Sequence, residues 1–430
     1  MRREASGAAD TVAFVRRDLS ILRDRRFGLL FAARTASVLG SAFGPVALAF
    51  GVLALPGATA TTLSLVVGAE AVTLVAFMLV GGVIADRLPR FRVMVVADLG
   101  AAIAWGALAA MLLTGWAPLG ALIAAAGAAG MATALFYPAL TGVVPEVVPP
   151  DRLQAANGLL RLGTNTARIA GLALAGIAVD LFGAGWALGL NAASFAVSAL
   201  LIGGLRLPAT AAAGTGSRML ADLRDGWREF ASRQWLWVIV AQAAFINAAF
   251  QAGFGVFGPV LAEAEFGGAR AWSFILAANA IGTVVGVVFA IRMRFARPVL
   301  VYAITSFFFV LPLALLGFDA PVVVIAAGSL LVGIASDIGG VQWETTVQRE
   351  IPAAVLSRVS SYDWLISMVL GPLGVAAAGP IAAAVGPRNG MLISAAVCAI
   401  ASVAALASSQ VRQLRAPAPA AILPATSAAG

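Results

Sequence analysis

Apolar residues come in runs of about twenty or more, twelve times over, and polar residues gather in the short gaps between them. At 1.5 Å rise per residue, about 20 apolar residues cross a ~30 Å hydrocarbon layer as one α-helix. The pattern predicts spanning helices at 27–53, 62–85, 93–113, 118–141, 155–181, 185–204, 234–261, 271–291, 298–316, 320–342, 359–385 and 389–408. An all-α membrane protein is expected. Composition sharpens this: 61% of residues are hydrophobic and 11% charged, against about 25% charged in an ordinary soluble chain. The first run is too long for a signal-peptide core and lacks a small-residue cleavage site, so it is expected to remain as a span.

The arginines alternate between the two sides of these runs. Seven precede the first run, and the next gap, LPGATATT, has none. Arg87, Arg90 and Arg92 follow the second run, and TGWAP after the third has none. Arg152, then Arg206 to Arg233, Arg292 to Arg297, Arg349 and Arg358, and Arg412 and Arg415 all fall on the side of the first seven. Arg270 and Arg388 stand opposite. By the positive-inside rule both termini are expected in the cytoplasm of a bacterial cell, with the chain in its cytoplasmic (inner) membrane. A nucleic-acid surface would need a folded soluble domain to carry it, and the runs leave no room for one. The single cysteine, Cys398, lies inside the last run and the chain has no histidine. That removes a cysteine-based metal site and the commonest general base, so neither metal, cofactor nor enzyme chemistry is expected.

The chain also repeats. GVIADRLPRFR from Gly82 aligns with GVVFAIRMRFA from Gly286, FGPV at 43–46 recurs at 257–260, and PEVVPPDRLQAAN aligns with REIPAAVLSRVSS, pairing Glu146 with Glu350. Three matches in one order make six runs a copy of the other six. This divides the chain into an arm at 1–26, a half at 27–204, a linker at 205–233, a second half at 234–408 and a Pro/Ala-rich tail at 409–430. RMLADLRDGWREF in the linker reads as an amphipathic helix at the membrane surface. Two six-helix halves packed face to face enclose a cavity near the bilayer midplane, the architecture of a carrier that rocks.

GVIADRLPRFR resembles the signature loop between the second and third helices of the major facilitator superfamily, roughly Gly, three residues, Asp-Arg, one residue, Gly, then two basic residues. Gly82, Asp86, Arg87 and Arg90 match it. Pro89 replaces the usual Gly, and Phe91 splits the basic pair, with Arg92 one place later. Over roughly residues 20–408 the chain is similar to the bacterial drug and siderophore efflux branch that includes macrolide and enterobactin exporters. FYPALTGVVPEVVPPDRLQAANGL and VQREIPAAVLSRVSSYDWLISMVLGPLG carry that likeness. The resemblance implies the twelve-helix pseudo-symmetric fold, a gating role for the signature loop, and a substrate cavity lined by spans one, four, seven and ten. Asp86, at a helix end, can accept from terminal donors and pair with arginine, latching the halves. The other reading makes the loop arginines topology determinants facing anionic headgroups, and fits Arg92 better.

Charges inside the spans need a reason, because one at helix centre costs about 2.5–3.5 kcal/mol even on lenient insertion scales. Glu70 lies about 12 Å into its span with no base nearby on the same helix, and is the leading candidate for reversible protonation. Asp337 follows. Asp98 and Arg34 read better as paired ions tying helices together. Asn157, Arg161, Asn165 and Arg168, spaced by four, four and three, form one stripe that is expected to face the other half or a water-filled cavity. Ala167, Gly171 and Ala175 allow a close helix contact.

Phe43, Phe136, Tyr137, Phe250, Phe254 and Phe257 are the candidate cavity residues, and an apolar aromatic cavity suits lipophilic or amphipathic solutes better than sugars. Trp116, Trp186, Trp235, Trp272 and Trp343 read as interface anchors. No GxxxxGK[ST] occurs, which disfavours primary pumping. A secondary transporter is expected, exporting such solutes against protons and acting as a monomer in the bilayer. An uptake porter for a small metabolite, or a membrane receptor or assembly subunit without transport, stays open.

Overall fold

The computed structural model describes residues 20–149, 152–205, 219–352 and 355–416. Most of the expected arm, residues 206–218 of the expected linker, and the tail from 417 lie outside the described residues. Twelve described helices are long and apolar enough to span a membrane, and no strand occurs among the described residues. Helix α1 is Arg25–Leu53, α2 Ala60–Arg87, α3 Arg90–Thr114, α4 Leu119–Val147, α5 Leu153–Phe182 and α6 Ala184–Gly203. The second set is α7 Gln234–Glu265, α8 Gly268–Arg292, α9 Pro298–Gly317, α10 Val322–Glu350, α11 Arg358–Val385 and α12 Pro387–Ala407. Each overlaps one expected run. The largest differences are at the ends of α4 and α10, where GVVPEV and the polar WETTVQRE continue the helices past the expected ends.

Local chemistry sets the helix ends. The Asp24 carboxylate accepts from the Arg26 and Phe27 amides at 2.9 and 3.1 Å, capping α1. Thr59 and Thr62 form a reciprocal capping box at α2. Gly183 joins α5 to α6 at φ 85° and ψ 158°, and Gly386 joins α11 to α12 at φ 84° and ψ 157°. Only glycine adopts that conformation without strain, so the repeat extends to backbone geometry. The FGPV copies behave alike: α1 breaks at Ala42 just before Phe43, and α7 has a single π turn over Gly253–Phe257.

In the first six helices α2 packs on α4, α3 on α4 and α6, and α1 on α5 and α6; in the last six α8 packs on α10 and α7 on α12. Gly171 explains the α1–α5 approach, since a Cβ there would meet the Ala42 side chain and the Leu39 carbonyl. The two sets meet along α2 with α11 and α5 with α8. The α2–α11 contact runs along Gly371–Val385, the part of α11 remote from the termini. There Gly68 faces Val375 and Ala376 at 3.9 Å, and Gly379 lies against Thr61 and Ser64. On the second seam Gly176 lies against Ala269, Arg270 and Ser273, and an Asp180–Arg270 ion pair of 2.6 Å bridges the helices. Small residues let the backbones approach, and the end of the seam away from the termini is closed.

Three tryptophans correct the sequence expectation. Trp235, Trp272 and Trp343 are buried, not at an interface: Trp235 and Trp343 form an edge-to-face pair at 5.6 Å, and Trp272 packs under Gly258. Position near a span end fixes depth but not the face a ring takes. Trp116 and Trp186 are exposed, at 69% and 62%. The helix Met219–Ser232 docks on the second set through Trp227 and Phe230, whose rings lie 5.5 and 6.2 Å from Tyr362.

Candidate functional site

A cavity of about 540 Å³ sits between the two sets of helices, on the termini side of the closed seam. Leu74 and Met78 of α2, Tyr137 of α4, Gln251 of α7, and Trp364 and Met368 of α11 line it, so both sets contribute walls. The walls are almost wholly apolar, with Gln251 and the Tyr137 hydroxyl as the polar exceptions among these. That volume suits a drug-sized solute, and an apolar lining with few polar groups is the usual form of such a site. Pro138 interrupts the α4 hydrogen-bond ladder beside Tyr137, releasing the Ala134 carbonyl, against which Gly81 of α2 packs.

Of the six aromatic residues expected at the cavity, Tyr137 alone lines it. Phe43, Phe136 and Phe257 are buried in the packed core, Phe257 against Gly390. Phe250 and Phe254 stack at 4.1 Å and pack on Phe309 and Trp272, beside the π turn. The correction has a simple cause: rings in uniformly apolar helices fill whichever gap their rotation offers, and packing claims most of them. Gln251, Trp364, Met78 and Met368 were missed. Gln251 carried a usable signal, an amide in the interior of an apolar run, pressed against Gly371.

A second cavity of about 300 Å³ adjoins the first, sharing Leu140 as wall. It lies within the first six helices, lined by Arg34, Asn157, Arg161 and Thr164 with Leu140 and Val144. Arg34 stands over the Phe136 ring at 4.9 Å and near the Tyr137 ring at 5.9 Å, and donates a long 3.5 Å bond to Ser37. The stripe on α5 thus divides. Asn157 and Arg161 line this recess, while Arg168 donates to Thr283 of α8 at 3.1 Å, across the seam.

The acids take distinct positions. Asp98 is buried and accepts from Ser198 of α6 at 2.6 Å. Glu70 is half-buried on the helix that packs on α4, and no hydrogen bond or ion pair reaches its carboxylate among the described residues. Asp337 of α10 packs against Gly286 of α8, one turn from the Thr283 that holds Arg168, and Arg168 and Glu344 are its charged neighbours. Asp363 of α11, not foreseen, accepts from the Trp343 indole at 2.9 Å and from Ser367 at 3.4 Å. In the signature loop, Arg90 pairs with Glu146 of α4 at 3.1 Å. Gly82, Asp86 and Arg87 lie on the last turns of α2, and their side chains fall outside the description.

Residues 27–375 match the Major Facilitator Superfamily model. The chain belongs to the major facilitator superfamily. Its twelve described spans fit that superfamily of multi-pass membrane transporters. A curated relative of this transporter is an uncharacterized MFS-type transporter, YkuC, of Bacillus subtilis (strain 168), 27% identical over 242 residues. That match covers 56% of this chain and spans about half of the relative, 55%. Among solved structures, the nucleoside transporter NupG superposes with a TM-score of 0.73 at 14% identity, covering 89% of the transporter and 99% of NupG. A bacterial homologue of the human lysosomal transporter Spinster, in an inward-facing, unoccupied conformation, gives 0.63 at 16% identity, covering 92% and 97%. At such identities the likeness is one of fold.

Proposed function

We propose that this transporter exports lipophilic or amphipathic small molecules from a bacterial cell by alternating access, exchanging them for protons. The observation that carries this is the apolar chamber between the two sets of helices, closed at one end of the seam. Its aromatic and thioether walls adapt to varied apolar shapes, and Gln251 and Tyr137 supply few fixed polar demands. In this reading the termini are cytoplasmic, by the arginine distribution, and the chamber belongs to a cytoplasm-accessible state. The halves are 27–204 and 234–408, with 205–233 as their link, and they rock about α2–α11 and α5–α8 as a monomer. Asp86, Arg87 and Arg90 of the signature loop, with Gly82, gate the cytoplasmic side when it closes.

Glu70 is the proposed proton carrier, because its half-buried carboxylate has no partner among the described residues to hold one charge state. Asp337, packed at the α8 seam beside Arg168, is the second candidate. One proton falling through 100 mV releases about 2.3 kcal/mol, and a tenfold solute gradient costs about 1.4 kcal/mol. One proton per solute suffices for accumulation of tens-fold.

The test is efflux of a lipophilic dye and antibiotic panel from cells making the wild type or Glu70→Gln, with and without protonophore. Wild-type efflux is expected to stop with protonophore, and the variant to reach the membrane yet lose at least nine-tenths of coupled efflux. Protonophore-sensitive export by the variant at the wild-type rate would remove Glu70 from the mechanism. Net uptake in place of efflux would overturn the direction.

A further inference from the structure

The recess beside the chamber holds cations that no carboxylate balances directly. Arg34 enters it from α1, and Asn157 and Arg161, four residues apart on one face of α5, enter from the other side. At 1.5 Å per residue both arginines stand about 12–14 Å from the starts of their helices, in one layer of the membrane. Among the described residues the Arg161 guanidinium makes no hydrogen bond or ion pair, and neither does the Asn157 side-chain amide. Arg34 has ring faces and a 3.5 Å bond to Ser37. Asp98 lies in the same layer and attracts Arg34, but it accepts from Ser198 and no ion pair joins it to Arg34 among the described residues. Among the described residues no acid lines the recess, which leaves the Arg161 charge without a carboxylate beside it.

Arg161 is exposed within the recess and Arg34 is half-buried; a guanidinium at this depth needs water or an anion around it, and its fork is built for planar or tetrahedral oxyanions. The recess is joined to the apolar chamber at Leu140, and Tyr137 belongs to both by lining the chamber and lying beside Arg34. We infer that the two cavities form one amphipathic site: the recess takes the carboxylate or phosphate of an amphipathic anion, and the chamber takes its apolar body. This deepens the export reading by naming the charge class of the solute. The same chemistry occurs in an anionic lipid headgroup, and the measurement separates the two sources.

Binding of decanoate, decanol and decyltrimethylammonium is measured on the full chain in nanodiscs, once in phosphatidylcholine and once with a quarter phosphatidylglycerol. Decanoate is expected to bind at least tenfold more tightly than decanol, a difference of about 1.4 kcal/mol, and the ammonium more weakly than either. Arg34→Gln and Arg161→Gln should each abolish the preference for decanoate, and Arg161→Lys should keep most of it at an unchanged melting temperature. Decanoate affinity that is the same in both bilayers assigns the recess to a soluble anion. Affinity that falls with phosphatidylglycerol, which then co-purifies, assigns it to a lipid headgroup. Equal binding of the three probes, or a preference that survives both Gln variants, overturns the inference. Binding needs no proton gradient or efflux, so this result stands or falls separately from export.

Discussion

The two ends of the seam between the six-helix sets are built from different materials. At the end remote from the termini the sets touch through glycines, Gly68 and Gly379 between α2 and α11 and Gly176 between α5 and α8, with one ion pair across them. At the termini end two polar contacts lie within a set: Arg90 pairs with Glu146 in the first, and the Trp343 indole donates to Asp363 in the second. One end is closed by shape, and the other carries charged and polar groups, two pairs of which are joined within a set. Contacts of shape fall steeply with a fraction of an ångström, whereas charge contacts act over several. The closed end should be sensitive to added volume and the other to added or removed charge.

The largest effect is expected where volume is added. A Cβ on Gly176 would meet the Ala269 carbonyl and lie 2.7 Å from the Arg270 Cα, which are backbone atoms that cannot swing away. Gly176→Leu should hold the remote end apart, lengthen spin-label distances between α5 and α8 there, and lower transport at least tenfold. Unchanged distances with full transport would show that the seam yields and that closure does not depend on small residues. Gly189, with open space around its Cβ position, is the control: Gly189→Ala should be silent.

A smaller effect is expected where polar groups are satisfied within one set. The Trp343 indole is buried and donates to Asp363 at 2.9 Å. Asp363→Ala leaves that donor unpaired and should cost about 1–3 kcal/mol, read as a lower melting temperature in detergent. Asp363→Asn keeps an acceptor and should melt close to wild type. If the two variants melt together, the bond does not hold α10 to α11.

Much of this frame was legible in the chain, and the limits of legibility are physical. Twelve spans follow from length and apolarity alone, and the FGPV copies, legible as a repeat, turn out to sit at paired irregularities in α1 and α7. Depth can be counted, so the layer of Arg34, Asp98 and Arg161 was in reach of arithmetic. Rotation cannot be counted in a helix apolar all round, because no polar stripe marks the side that faces inward. That is why Phe43 and Phe257 were expected at the cavity and pack in the core, while Trp364 and Met368 line the chamber unannounced. Helix α5 is the exception: its stripe of Asn157, Arg161 and Arg168 fixed its rotation, and those residues are the ones that reach the recess and α8.

The smallest effect is expected at the ion pair across the closed end. Asp180 and Arg270 approach to 2.6 Å but are 53% and 61% exposed, and exposed pairs contribute about 0.2–1 kcal/mol. A double-mutant cycle with Asp180→Asn and Arg270→Gln should give a coupling in that range, read as a shift in the closed fraction by fluorescence transfer across the remote end. It should fade as salt rises, since the screening length falls from about 8 Å at physiological ionic strength to about 3 Å at 1 M, close to the separation of the pair. A coupling that exceeds the effect of Gly176→Leu would reverse the comparison, making charge rather than shape the lock at that end.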